Sequence, residues 1–159
     1  MKHLKALLIL VAVVALAACK GDGAPNVDWT LSVTGDVATP LSLTYRELTE
    51  MPETDLTDIL MEKSLGEDEV TSWSGVALET VLAQADAGSF STLIAIAADG
   101  YAIEISAEEA QNGIVALKRD GEWIPRVAEE ENMGPIRLVT PETPANRWVF
   151  QLQELQVKQ

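Results

Sequence analysis

Histidine and cysteine are almost missing from this chain: His3 and Cys19 are the only ones, and both fall within the first nineteen residues. Over residues 20–159 there is neither an imidazole nor a thiol. A histidine-assisted serine or cysteine hydrolase, a histidine-ligated zinc or haem site and a thiolate-bound metal would each lack the essential group there. No GxGxxG or GxxxxGK[ST] stretch is present to cradle phosphates, and no aspartate cluster has calcium-loop spacing. Internal repeats and long linkers are absent as well. Carboxylate, lysine or tyrosine chemistry and a hard oxygen-ligand metal site stay open.

Basic residues are also scarce. Eleven Lys and Arg stand against 25 Asp and Glu, a net charge of −14. Such a balance argues against nucleic acid and anionic lipid as partners, and favours solubility or a basic partner.

The hydrophobic character is concentrated at the start. Lys2 and Lys5 precede an unbroken apolar run, Ala6 to Ala15, that is too short to span a bilayer and is followed by small residues. That is the pattern of a secretion signal. Leu16, Ala17, Ala18 and Cys19 resemble the lipobox of bacterial lipoproteins, in which the thiol is acylated and the peptide is cut before the cysteine. The resemblance implies a signal over 1–18 and a lipidated Cys19, with several acyl chains anchoring the protein durably, palmitate among the expected modifications. The alternative is an ordinary signal peptide with a chance cysteine. Lys20 after the cysteine favours the outer membrane, by the sorting pattern of enterobacteria, and puts the domain on the periplasmic face. Residues 19–27 then hold the lipidated cysteine and a flexible tether, and 28–159 form one domain. Removing 1–18 takes away two lysines and no acid, moving the net charge from −14 to −16.

The domain itself reads as mixed α and β, without a βαβ rhythm, and hence as an α+β fold. "VDWTLSVTG" and "PLSLT" alternate as half-buried strands do. Thr44 and Glu47 have capping-box spacing ahead of a short helix that ends before Pro52. "TDLTDILMEKS" is ambiguous, a strand running into a turn being one reading. Leu78, Val81, Leu82 and Ala85 recur at helical spacing and mark a core-facing helix. Asp99-Gly100 and Asp120-Gly121 each join two β-rich runs as tight turns. Ser106 and Glu109 again have capping-box spacing, for one helical turn or two, and "PIRLVTP" and "RWVFQLQELQV" close the domain as strands.

Five motifs in order, "WSGVALETVL", "ADGYAIEIS", "ALKRDGEWIP", "MGPIRLVTP" and "RWVFQLQELQV", resemble the molybdopterin-binding domain of the sulfite oxidase family, over most of the chain from about Trp29 onward. The likeness is to its short, single-domain secreted members. It implies that fold and a pterin groove. In the family's enzymes an upstream cysteine gives a thiolate to molybdenum, but "ILMEKSLGEDEVTSW" has none, and a lipidated Cys19 lies outside the domain. The expected ligand is therefore a non-covalent pterin without molybdenum, and catalysis is not expected. Some short relatives bind a free pterin and report it to the periplasmic part of a membrane protein that makes or degrades cyclic di-GMP. Two other readings remain: a molybdopterin-dependent oxidoreductase with an unusual ligand set, and a ligand-free interaction lipoprotein.

A pterin offers a flat ring for stacking and an amino-pyrimidinone edge whose N–H donors match a carboxylate. Trp73, just before a helix start, is the first stacking candidate; the other reading makes it a core tryptophan. Asp99 is the first carboxylate candidate, although a turn alone accounts for an aspartate there. Tyr101 either lines the same pocket or packs on its strand neighbours. Arg137, in the Gly-Pro-apolar-Arg stretch, either contacts a ligand or pairs with surface acids. Gly134 and Pro135 shape the loop, Trp123 and Trp148 read as core or interface residues, and Glu129 to Glu131 form a solvated acidic run that could meet a basic partner.

Overall fold

The computed structural model describes residues 23–63, 65–126 and 134–159. The expected signal segment, Cys19 and the Glu129 to Glu131 run lie outside the described residues.

Among the described residues, eleven strands form two sheets. In the first, the order is β2 (Leu41–Thr44), β1 (Thr30–Gly35), β11 (Leu152–Lys158), β5 (Thr92–Ala97) and β6 (Ala102–Ser106). The second runs β10 (Val149–Phe150), β9 (Arg137–Val139), β7 (Ile114–Arg119), β4 (Glu69–Ala77) and β3 (Glu53–Met61), with β8 (Glu122–Trp123) also on β7. Every pairing is antiparallel except β1 with β11. The ambiguous "TDLTDILM" is thus strand β3. It pairs with β4 as a hairpin, with a register shift between Leu56 and Ile59.

The pattern "IVAL" in β7 shows how the layers form. All four residues are buried, as expected for a strand covered on both faces. Val115 and Leu117 join the main core, which draws Leu31, Leu93 and Leu155 from the first sheet, while Ile114 and Ala116 join a second core containing Trp73, Val139 and Trp148. Among the described residues, two α-helices complete the fold. Helix α1 (Tyr45–Glu50) begins with the capping box: the Glu47 amide donates to Thr44 Oγ1 at 3.3 Å and the Thr44 amide to Glu47 Oε2 at 2.8 Å. The Thr44 hydroxyl and amide hold the Glu47 carboxyl below its usual range. Helix α2 (Leu78–Gln84) has no side-chain cap; its Leu78 amide instead donates to the Gly113 carbonyl at 2.8 Å. It buries Leu78, Val81 and Leu82, with Ala85 just beyond its end, which is the face read from their spacing. Around Ser106 and Glu109 the reciprocal hydrogen bonds form, but the segment is a hydrogen-bonded turn and not a helix.

Glycine is required in the Trp-Ser-Gly motif because β4 and β7 approach closely there. A Cβ on Gly75 would stand 2.1 Å from the Val115 carbonyl oxygen, beside the register shift between Ser74 and Gly75.

Candidate functional site

The turn after β5 and the ends of β9 and β10 meet at one corner of the molecule. Asp99 and Gly100 build the turn: Gly100 has φ +87°, the Gly100 amide donates to the Ala97 carbonyl, and the Tyr101 amide donates to Asp99 Oδ1 at 2.9 Å. The next amide link is lateral, from Ala98 N–H to the Gln151 carbonyl at 3.0 Å, which ties the turn to the break between β10 and β11. Gln151 holds φ +49°, and its side chain lies against Gly134, where a Cβ would come within 2.6 Å of Gln151 Cγ. The glycine of the Gly-Pro-apolar-Arg stretch is therefore a packing requirement, in line with a loop-shaping role.

A hollow of about 550 Å³ opens at this corner, walled by Asp99, Tyr101, Asn146, Trp148, Phe150 and Gln151 together with two alanines. Tyr101 is 50% exposed and Phe150 37%, so two aromatic rings face solvent beside one carboxylate. Of the residues expected at the site, Asp99 and Tyr101 line the hollow. Trp73 and Arg137 do not.

Trp73 is fully buried in the second core, so it has no face to offer a ligand. Its indole N–H donates to Thr71 Oγ1 at 2.8 Å, and its ring meets Trp148 edge to face, centroids 5.9 Å apart at 86°. The stacking expectation for Trp73 gives way to its core reading. Trp148 is held in turn by its indole N–H, which donates to the Thr140 and Thr143 carbonyls at 2.9 and 3.2 Å.

Arg137 is 2% exposed and lies one layer behind the hollow. Strand register places it directly opposite Phe150. Its guanidinium carbon is 3.5 Å from the Phe150 ring centroid, 4.9 Å from that of Trp73 and 5.3 Å from that of Trp148. Arg119 approaches Trp73 from another side at 5.6 Å. A buried cation is costly in a low-dielectric interior, and aromatic faces are among the few apolar groups that offset that cost. Arg137 thus braces the aromatic wall from behind and does not reach into the opening. Phe150 and Trp148, which complete the wall, were not among the expected site residues. Their signal lay in "RWVFQ", where an aromatic pair spaced by two residues precedes a break in the strand.

These elements and their order are those of one protein family. A family model for the oxidoreductase molybdopterin binding domain matches residues 21–159. The chain belongs to that family. Its fold is similar to that of the sulfane dehydrogenase SoxCD from Paracoccus pantotrophus, with a TM-score of 0.71 and 23% identity over 86% of this chain. The match covers 40% of the SoxCD chain, so this protein corresponds to less than half of that enzyme's length. No curated protein sequence matches it.

The residues present fit one half of a molybdopterin group better than the other. Two exposed rings and the Asp99 carboxylate suit the flat ring and N–H edge of a pterin. The wall supplies no thiolate, imidazole, lysine or arginine for a metal or a phosphate tail. Among the described residues no three His, Cys, Asp or Glu side chains are placed to hold a metal ion.

Proposed function

We propose that this protein is a pterin-binding member of its family that acts as a sensor and not as a catalyst. The observation that carries the reading is the juxtaposition of Asp99 with the exposed rings of Tyr101 and Phe150 around a 550 Å³ hollow. That volume lies in the usual range for small-molecule sites, about 300–1,000 Å³. In this reading the pterin ring stacks on the aromatic wall, its amino-pyrimidinone edge donates to Asp99, and no residue of the wall supplies a thiolate. The lipobox at Cys19 adds a membrane anchor on the periplasmic side, with the outer membrane favoured. A sensor held there would report pterin to the periplasmic domain of a membrane enzyme of cyclic di-GMP turnover.

The test uses the full-length chain, purified in mild detergent from a pterin-producing host. The denatured supernatant is analysed by mass spectrometry and fluorescence, with metal analysis of the same sample and a palmitate label to score Cys19. Near-stoichiometric pterin without molybdenum supports the sensor. Tyr101→Ala and Asp99→Asn each lower pterin retention about tenfold or more, which is the loss of one stacking or charge-assisted contact of about 1.4 kcal/mol. Stoichiometric molybdenum replaces the sensor with an oxidoreductase. An empty protein that also ignores added pterin leaves the interaction-lipoprotein reading.

A further inference from the structure

A larger hollow, about 820 Å³, lies between α2, the Ala107–Gly113 turn and the beginning of β3. It shares no wall residue with the pterin hollow. Leu78 and Leu82 of α2 form its floor, with Leu56 and Phe90 half-buried at its sides. Two exposed carboxylates, Asp55 and Glu79, stand on its wall, and no lysine or arginine does.

The charges there are left uncompensated. Among the described residues Asp55 and Glu79 form no ion pair and no side-chain hydrogen bond, as is also true of other exposed carboxylates such as Glu104, Glu108 and Glu122; what sets these two apart is their place on the wall of an apolar hollow. Glu79 lies in the first turn of α2, where a carboxylate is favoured by the helix dipole. Nothing local favours Asp55. An apolar floor beside two unpaired carboxylates repels an anion and gives a neutral apolar molecule no polar anchor. It matches a molecule with an apolar body and one positive charge.

We propose that this hollow binds a small organic cation, an amine carried on an aromatic or aliphatic body, with the body on Leu78, Leu82 and Phe90 and the ammonium between Asp55 and Glu79. Size favours a small molecule over a protein partner. The volume falls in the small-molecule range, while a stable protein interface needs about 20–30 residues a side, more than this wall supplies. The proposal is independent of the pterin reading, since the two hollows have no residue in common.

The test is calorimetric titration of the full-length protein in mild detergent with tryptamine and with indole-3-propionate, which share an apolar body and carry opposite charges. Tryptamine is expected to bind one to one and about tenfold or more tighter than the anion. The Asp55→Asn, Glu79→Gln double variant, altered only at exposed positions, reduces that preference to about twofold while its circular dichroism stays unchanged. Glu122→Gln, at an exposed carboxylate outside both hollows, leaves tryptamine binding as it was. No heat with millimolar tryptamine, equal affinity for the two ligands, or indifference to the double variant would overturn the proposal.

Discussion

Arg137 and Phe150 face each other across β9 and β10, with the guanidinium carbon 3.5 Å from the ring centroid. The contact joins the core to the wall of the 550 Å³ hollow. Arg137→Ala removes a desolvated cation–π contact and leaves a void among three rings, so a loss of about 3 kcal/mol is expected. For a domain of this size that lowers Tm by roughly 6–12 °C. Arg137→Lys keeps the charge but not the flat stack, and loses about half as much. Thermal unfolding followed by circular dichroism distinguishes the two variants.

Gly75→Ala is expected to be among the most damaging small changes. The new methyl would meet the Val115 carbonyl at 2.1 Å and the Ala116 Cα at 2.7 Å, both backbone atoms of the central strand β7. Relief requires β4 and β7 to separate, at a cost of about 3 kcal/mol or more. By contrast Gly88→Ala, with nothing within 4 Å, bears only the strain of φ +62° and loses about 1 kcal/mol. Urea midpoints of the pair measure the difference.

Tyr45 is buried, and its hydroxyl has no hydrogen-bond partner among the described residues. Burial pushes its pKa from 10.0 up to about 12, against the opposing pull of the Arg126 charge. Because the folded value lies above the unfolded one, its contribution is whole below pH 10 and is lost as pH climbs through 12, an alkaline loss of about 2–3 kcal/mol. Tyr45→Phe should abolish that part of the loss and leave stability at neutral pH unchanged or about 1 kcal/mol higher. Urea unfolding at pH 8 and pH 11.5 tests both halves.

At the acid end, the Ser106 amide and then the Arg147 charge hold the Glu109 carboxyl below its usual range. A lowered folded value makes the contribution present above the ordinary glutamate range and lost as pH falls below it. Glu109→Gln should therefore narrow the gap between urea midpoints at pH 7 and pH 3. An unchanged gap would show that the contact contributes nothing to acid sensitivity.

Local chemistry was the legible part of this sequence. The Thr44–Glu47 capping box, the buried face of α2 and both Asp-Gly turns follow from contacts within a few residues, and each is found in the structure. What could not be read was the pairing of β1 with β11, about 120 residues away in sequence, because nothing in either strand names its neighbour. The same limit governed the site. Asp99 and Tyr101 belong to one turn and line the same hollow, but whether Trp73 faced a ligand or the core depended on Trp148 and Arg137, which arrive from distant parts of the sequence. Phe150 stands on the wall next to Gln151, where the strand breaks at φ +49°.

The parallel pairing of β1 with β11 also constrains how the first sheet can close. Strand β11 sits between β1 and β5, and the Trp29 indole N–H is fastened to the Leu152 carbonyl at 2.8 Å. The β1–β2 and β5–β6 hairpins each present an open edge where β11 belongs. The first sheet can close only when Leu152–Lys158 has docked between β1 and β5, so loss of that strand would separate two halves of one sheet.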